Sequence, residues 1–241
     1  MANTKNGKHM SGTTIIIILV AVLLLGGIAI FAQDKIKGSN SNNVYEGGNE
    51  TKAVINESGS ANVYIDSEFS TEDAFTSLSR QGYFNDLAEE DMLVLKKVFG
   101  KKVNLDLTEA DGISKPDFYK DIVKEGKPTI IDYMNTECQG CRSLHDMMNT
   151  MYNQGDFTFI EVTTRQTPEE LANYITKEQQ GVMKIPTYVA DVKFSDELGF
   201  QYTPTLLYLN DEGYVYWVSG PLQYKEMLNR TQTQVSFEFM Q

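Results

Sequence analysis

The sequence predicts an α/β domain, in which buried strands alternate with amphipathic helices, carried behind a membrane-spanning helix. Three observations predict it. Pro128 to Met151, PTIIDYMNTECQGCRSLHDMMNTM, passes from an apolar β-branched run (Thr129 to Met134) through a short turn into a helical pattern of Leu144, Met147, Met148 and Met151. From Phe157 to Leu228, strand-like runs alternate with helix signals. Thr13 to Ala32 forms 20 residues without a charge, the length of helix that crosses a bilayer core.

Composition narrows the classes. With 41% hydrophobic and 22% charged residues the chain is globular, and the residues beyond the membrane segment suffice for one domain with its own core. A net charge of −12 argues against a nucleic-acid partner, because phosphate contacts need clustered Lys and Arg. The two cysteines, Cys138 and Cys141, exclude a disulfide-stapled scaffold and a four-cysteine zinc site. A metal site on this pair would need histidines, and the chain has only His9 and His145, so no metal and no other cofactor is expected.

Taken in order, residues 1–12 are a polar tail and 13–32 an anchor, uncleaved because Ile30 and Ala32 make a poor small-x-small site. Residues 33–61, rich in Gly, Ser and Asn, read as a flexible linker. Residues 62–91 form an extension, with a helix starting at Ser70-Thr71-Glu72-Asp73 and ending at Gly82. The main domain then occupies 92–241. Asp86 to Phe99 suits a helix through Leu87, Met92, Leu95 and Val98, while Met92 to Val98 also suits a strand; with Val103 to Leu107, LKKVFGKKVNL reads as a hairpin turning at Gly100, and Ser114-Lys115-Pro116-Asp117 caps a helix through Val123. After the central stretch come a strand at 157–162, a helix started by Thr167-Pro168-Glu169-Glu170 and ended at Gly181, a short strand at 186–191 and a short helix opening at Ser195. Thr205 to Leu209 and Tyr214 to Val218 form strands joined by Asn210-Asp211-Glu212-Gly213, and Pro221 opens a final amphipathic helix.

Cys138 stands at the start of a helix, where unsatisfied N–H groups and the positive end of the dipole favour thiolate over thiol. Cys141, one turn on, is near enough to close a small disulfide. Such a dithiol exchanges disulfides. Glu137 beside Cys138 opposes thiolate formation and Arg142 favours it.

Asp132 through Cys141, followed by Tyr202-Thr203-Pro204-Thr205, a Gly213 hairpin and Gly220, resembles the thioredoxin superfamily, and within it the membrane-tethered TlpA/ResA-like branch. The resemblance covers about residues 92 to 230. It implies a thioredoxin-like fold, a central mixed sheet flanked by helices, with Cys138 as nucleophile and Cys141 as resolving thiol. It also implies that Pro204 is a cis-proline packed against the pair, with Thr203 beside it in substrate binding, and that Asp132 is a buried carboxylate taking a proton when Cys141 attacks. Thioredoxin's active-site tryptophans are replaced by Met134 and Glu137, and Gln139-Gly140 stands where the family usually has a proline. The expected activity is thiol–disulfide exchange with exported proteins outside the membrane, as a reductase fed by a membrane electron donor. Two alternatives stay open: oxidation of folding exported proteins, and a non-catalytic module that binds a partner or a metal.

Overall fold

The computed structural model describes residues 52–152, 156–177, 185–200, 202–222 and 224–240, without the side chains of Ser143, His145, Asp146, Met151 and Tyr224. The expected anchor at 13–32 and most of the linker lie outside the described residues. Among the described residues no helix is long and apolar enough to cross a membrane.

Six strands make the central sheet: β3 (Leu107–Glu109), β4 (Thr129–Tyr133), β5 (Thr158–Thr163), β6 (Thr187–Ala190), β7 (Thr205–Leu209) and β8 (Val215–Ser219). They lie in the order β3-β6-β5-β4-β7-β8. The sheet is mixed: β4, β5 and β6 are parallel, whereas β7, β8 and β3 run antiparallel to their neighbours. Every residue of β4, β7 and β8 is buried, so these strands read as continuous apolar runs rather than alternations. The β7–β8 turn closes at Gly213, whose φ of 86° and approach to the Tyr119 ring both exclude a Cβ.

A second sheet was not expected. β1 (Ala53–Ile55) pairs antiparallel with β2 (Ala61–Ile65), and β2 runs parallel to β9 (Val235–Phe239) at the other end of the domain. Residues 53–61, read as linker, thus form a strand, a turn and the first residue of another. β2 and β9 both alternate inward and outward side chains, ANVYI and VSFEF, the pattern of strands buried on one face.

Two helices bridge the sheets. α1 (Thr71–Arg80) has the expected capping box, Ser70 accepting from the Asp73 amide while the Asp73 carboxylate accepts from Ser70 N–H. α2 (Glu89–Val98) replaces the expected hairpin at Gly100 and is a correction to it. Glu89, Glu90 and Asp91 in its first turn and Lys96 and Lys97 in its last complement the helix dipole, and Val94, Leu95 and Val98 share its buried face. Of the predicted return strand at 103–107, only Leu107 is in a strand, with Lys102 bridging to Tyr214. Asp117 caps a single wide turn, Phe118–Ile122, in place of a full helix.

The remaining helices are α3 (Gln139–Tyr152), α4 (Pro168–Lys177), α5 (Val192–Leu198) and α6 (Tyr224–Gln232). One core joins extension and sheet: Phe75 stacks on Phe84 at 4.8 Å between ring centroids, Phe84 meets Trp217 at 5.7 Å and Phe99 meets Phe237 at 5.1 Å. Arg230 lies 3.8 Å from the Trp217 ring centroid and pairs with Asp86 at 2.7 Å. The extension therefore completes the core of the main domain.

Candidate active site

β4 ends at Tyr133, and the chain turns through Met134 to Cys138 into α3. Asn135 organises the turn. Its carbonyl accepts from Cys138 N–H at 2.9 Å, and its side-chain oxygen accepts from Glu137 N–H at 2.9 Å and from the Gln166 amide at 3.2 Å. Arg142 reaches back to donate to the Thr136 carbonyl at 2.8 Å, and its guanidinium lies 5.8 Å from the Tyr174 ring centroid. The sequence reading overlooked Asn135 and Gln166. An Asn three residues before a cysteine is a turn signal, but its partner Gln166 is fixed only by the fold.

Cys138 and Cys141 are bonded, with Cα atoms 5.3 Å apart. The two sulfurs are not equivalent. Cys138 immediately precedes α3 and is half-buried, whereas Cys141 is fully buried against Met134, Leu171 and Tyr174. Cys141 N–H points at Cys138 Sγ, 3.0 Å away, so the first turn of the helix already aims a donor at the outer sulfur.

The Thr203–Pro204 peptide is cis, and Pro204 is buried at the head of β7. An added Cβ on Gly140 would stand 3.4 Å from Pro204 Cδ and 3.9 Å from Cys138 Sγ. The proline loop therefore sits on the first turn of α3 beside the outer sulfur. Thr203, half-buried, precedes the proline; Thr205 follows it and ties the loop by donating to the Tyr202 carbonyl at 2.7 Å.

Asp132 lies on β4 two residues before Met134 and so on the same face of the sheet. It is fully buried, and neither carboxylate oxygen has a hydrogen-bond partner among the described residues. Burial, followed by the neighbouring Glu161 on β5, holds its pKa well above the usual carboxylate range. Glu161 is equally buried and accepts from the Thr187 hydroxyl at 3.0 Å. Glu161 was missed because a lone Glu in a strand is ordinarily an outward-facing residue.

Thus Cys138, Cys141 and Pro204 come together at one end of the sheet, Thr203 flanks them, and Asp132 lies on β4 two residues before Met134. Among the described residues no group of three His, Cys, Asp or Glu is placed to hold a metal ion. A cysteine pair bonded at a helix tip, faced by a cis-proline, on a mixed α/β sheet defines the class of thiol–disulfide oxidoreductases. Residues 117–233 match the family model of the thioredoxin-like domain. No curated protein sequence matches the chain at a significant level. Solved structures with a similar fold include the pneumococcal exposed lipoprotein thioredoxin of Streptococcus pneumoniae, 18% identical with a TM-score of 0.44, covering 52% of this chain and 96% of that one. A thioredoxin-family thiol:disulfide interchange protein of Chlorobium tepidum is 22% identical, TM-score 0.42, covering 52% and 90%. StoA of Bacillus subtilis is 15% identical, TM-score 0.40, covering 54% and 96%.

Proposed function

We propose that the protein is a membrane-tethered reductase of disulfides in exported proteins, a member of the TlpA/ResA-like branch. The observation that carries the chemistry is the unequal burial of the two sulfurs. Only Cys138 is open to a partner, so its thiolate attacks the substrate disulfide, joins one substrate sulfur and releases the other as a thiol. Cys141, buried against the same helix turn, then attacks Cys138, re-forms the internal disulfide and frees the second substrate thiol. Two electrons pass from the cysteine pair to the substrate, and a dithiol donor at the membrane restores them. Asp132 accepts the Cys141 proton as that thiol becomes a nucleophile, a task suited to a carboxyl whose pKa is raised. The cis-proline loop, with Thr203, lays an extended substrate segment beside Cys138.

The tether rests on the uncharged run Thr13 to Ala32 ahead of a polar linker. The domain stands outside the membrane, where disulfides persist.

Trapping tests this reading. In the full chain, Cys141→Ala accumulates a covalent mixed disulfide with exported proteins, whereas Cys138→Ala accumulates none. The reduction potential of the pair decides direction: a value near or below about −270 mV supports a reductase, and one near −120 mV supports an oxidase. Equal trapping by both variants would overturn the assignment of nucleophile. Carbonate extraction reads the tether, since an anchored chain stays with the membrane pellet.

A further inference from the structure

Asp91 precedes the matched residues 117–233, yet it reaches into the site. It lies in the first turn of α2 with only 6% of its surface exposed. One carboxylate oxygen accepts from the hydroxyl of Tyr202, and the other accepts from Gly220 N–H at 3.1 Å. Tyr202 stands two residues before the cis-proline. Gly220 follows Ser219, which pairs with Leu206, so antiparallel register sets Gly220 alongside Thr205, the residue after that proline. A single side chain from the extension thus grips both strand ends that flank Pro204.

We infer that Asp91 is a positioning residue, which ties the N-terminal extension to the two loops around Pro204 and so sets the affinity of the site for polypeptide substrates. The assignment rests on the exchange activity proposed above. Geometry favours a tie over mere packing. The junction borders a cleft of about 890 Å³ lined by Leu87, Asp91, Ser219, Gly220 and Leu222, so displacement of these loops meets open space. Burial and the bond to Asp91 raise the Tyr202 pKa, which keeps its hydroxyl a donor throughout the working range of a thiol enzyme. A loop that must be ordered before it can present backbone to a peptide costs affinity, and holding it in place beforehand removes that cost.

The test uses Asp91→Asn and Tyr202→Phe in the full chain, with insulin as the protein disulfide. Both variants are expected to raise KM for insulin about tenfold, the worth of one hydrogen bond to a charged group, with kcat within about twofold. The double variant should cost no more than the worse single one, because the two residues share one bond. Hydrogen exchange at the Gly220 amide supplies a readout independent of activity, and it should accelerate in Asp91→Asn. An unchanged KM in both variants overturns the inference, as does a fall confined to kcat. Should the wild-type chain fail to reduce insulin while Gly220 exchange still accelerates in Asp91→Asn, the proposed function falls and the tie between extension and loops stands.

Discussion

Among the described residues two aspartates are buried, one at the junction of the extension with the proline loop and one on β4 inside the sheet, and they are held in opposite ways. Asp91 has donors on both oxygens, a hydroxyl and a backbone amide. Asp132 has none among the described residues and faces another carboxyl across the β4–β5 ladder. The first arrangement satisfies a charge and converts it into geometry. The second leaves a charge uncompensated, and the folded chain responds by raising the affinity of the carboxyl for a proton. Solvated groups contrast with both: exposed Asp117 has its pKa lowered by hydrogen bonds from the Lys120 side chain and backbone. Burial alone therefore does not raise the pKa of a carboxyl. Burial without donors does.

Four measurements tell the two carboxyls apart. The largest effect belongs to Asp91→Ala, which strands the Tyr202 hydroxyl and the Gly220 amide; urea unfolding should show a loss of about 3 kcal/mol. Next comes Asp132→Asn, which removes the proposed proton acceptor. Release of the second thiol after stopped-flow mixing of the reduced enzyme with a small aromatic disulfide should slow about a hundredfold at pH 7, and an unslowed second release would leave Asp132 without a proton-transfer role. Asp132→Leu discards the buried carboxyl for a side chain of similar size, and it should stabilise the fold by about 2 kcal/mol near neutral pH, opposite in sign to the Asp91 change.

The smallest effect is a slope. Asp132 has a folded-state pKa above its unfolded value of 3.8, so between those two values the native state holds the proton that the unfolded state has lost. Its contribution to stability accordingly falls as pH rises from about 4, by up to about 1.4 kcal/mol per pH unit, and levels off above the folded value. Half-buried Asp66 and exposed Asp73, Asp111 and Asp117 have lowered pKa values and work in the other direction, losing stability as pH drops through the acid range. Unfolding curves from pH 4 to 8 should be flatter or rising in Asp132→Asn relative to the parent. Identical pH dependence in the two proteins would place the titration elsewhere.

Much of the sulfur-bearing end was legible because its signals are local. Ile130 and Ile131, the Cys-x-x-Cys spacing and the helical run of methionines each follow within a few residues, and Met148 is indeed fully buried. Thr203-Pro204 ahead of an apolar strand announced the loop, though its seat over Gly140 comes from folding. The failures have a common cause in distance along the chain. β2 and β9 are five-residue strands that find each other across nearly the whole domain, and neither has enough apolar surface to declare itself alone. Met92 to Val98 satisfied both helical and extended patterns, and the acidic residues before it with the lysines after it were the charge signal that separates them. Asp91 and Glu161 were invisible for the same reason: each is defined by a partner on another element.

The parallel pairing of β2 with β9 also orders events in time. The strand β2 must wait for β9, so the smaller sheet closes only after residues 235–239 have been made. Until then the aromatic rings of the extension, Phe75, Phe84 and Phe99, lack the cover that Phe237 and Trp217 provide. The rings of the extension thus keep an apolar face uncovered until residues 235–239 close over it as a latch.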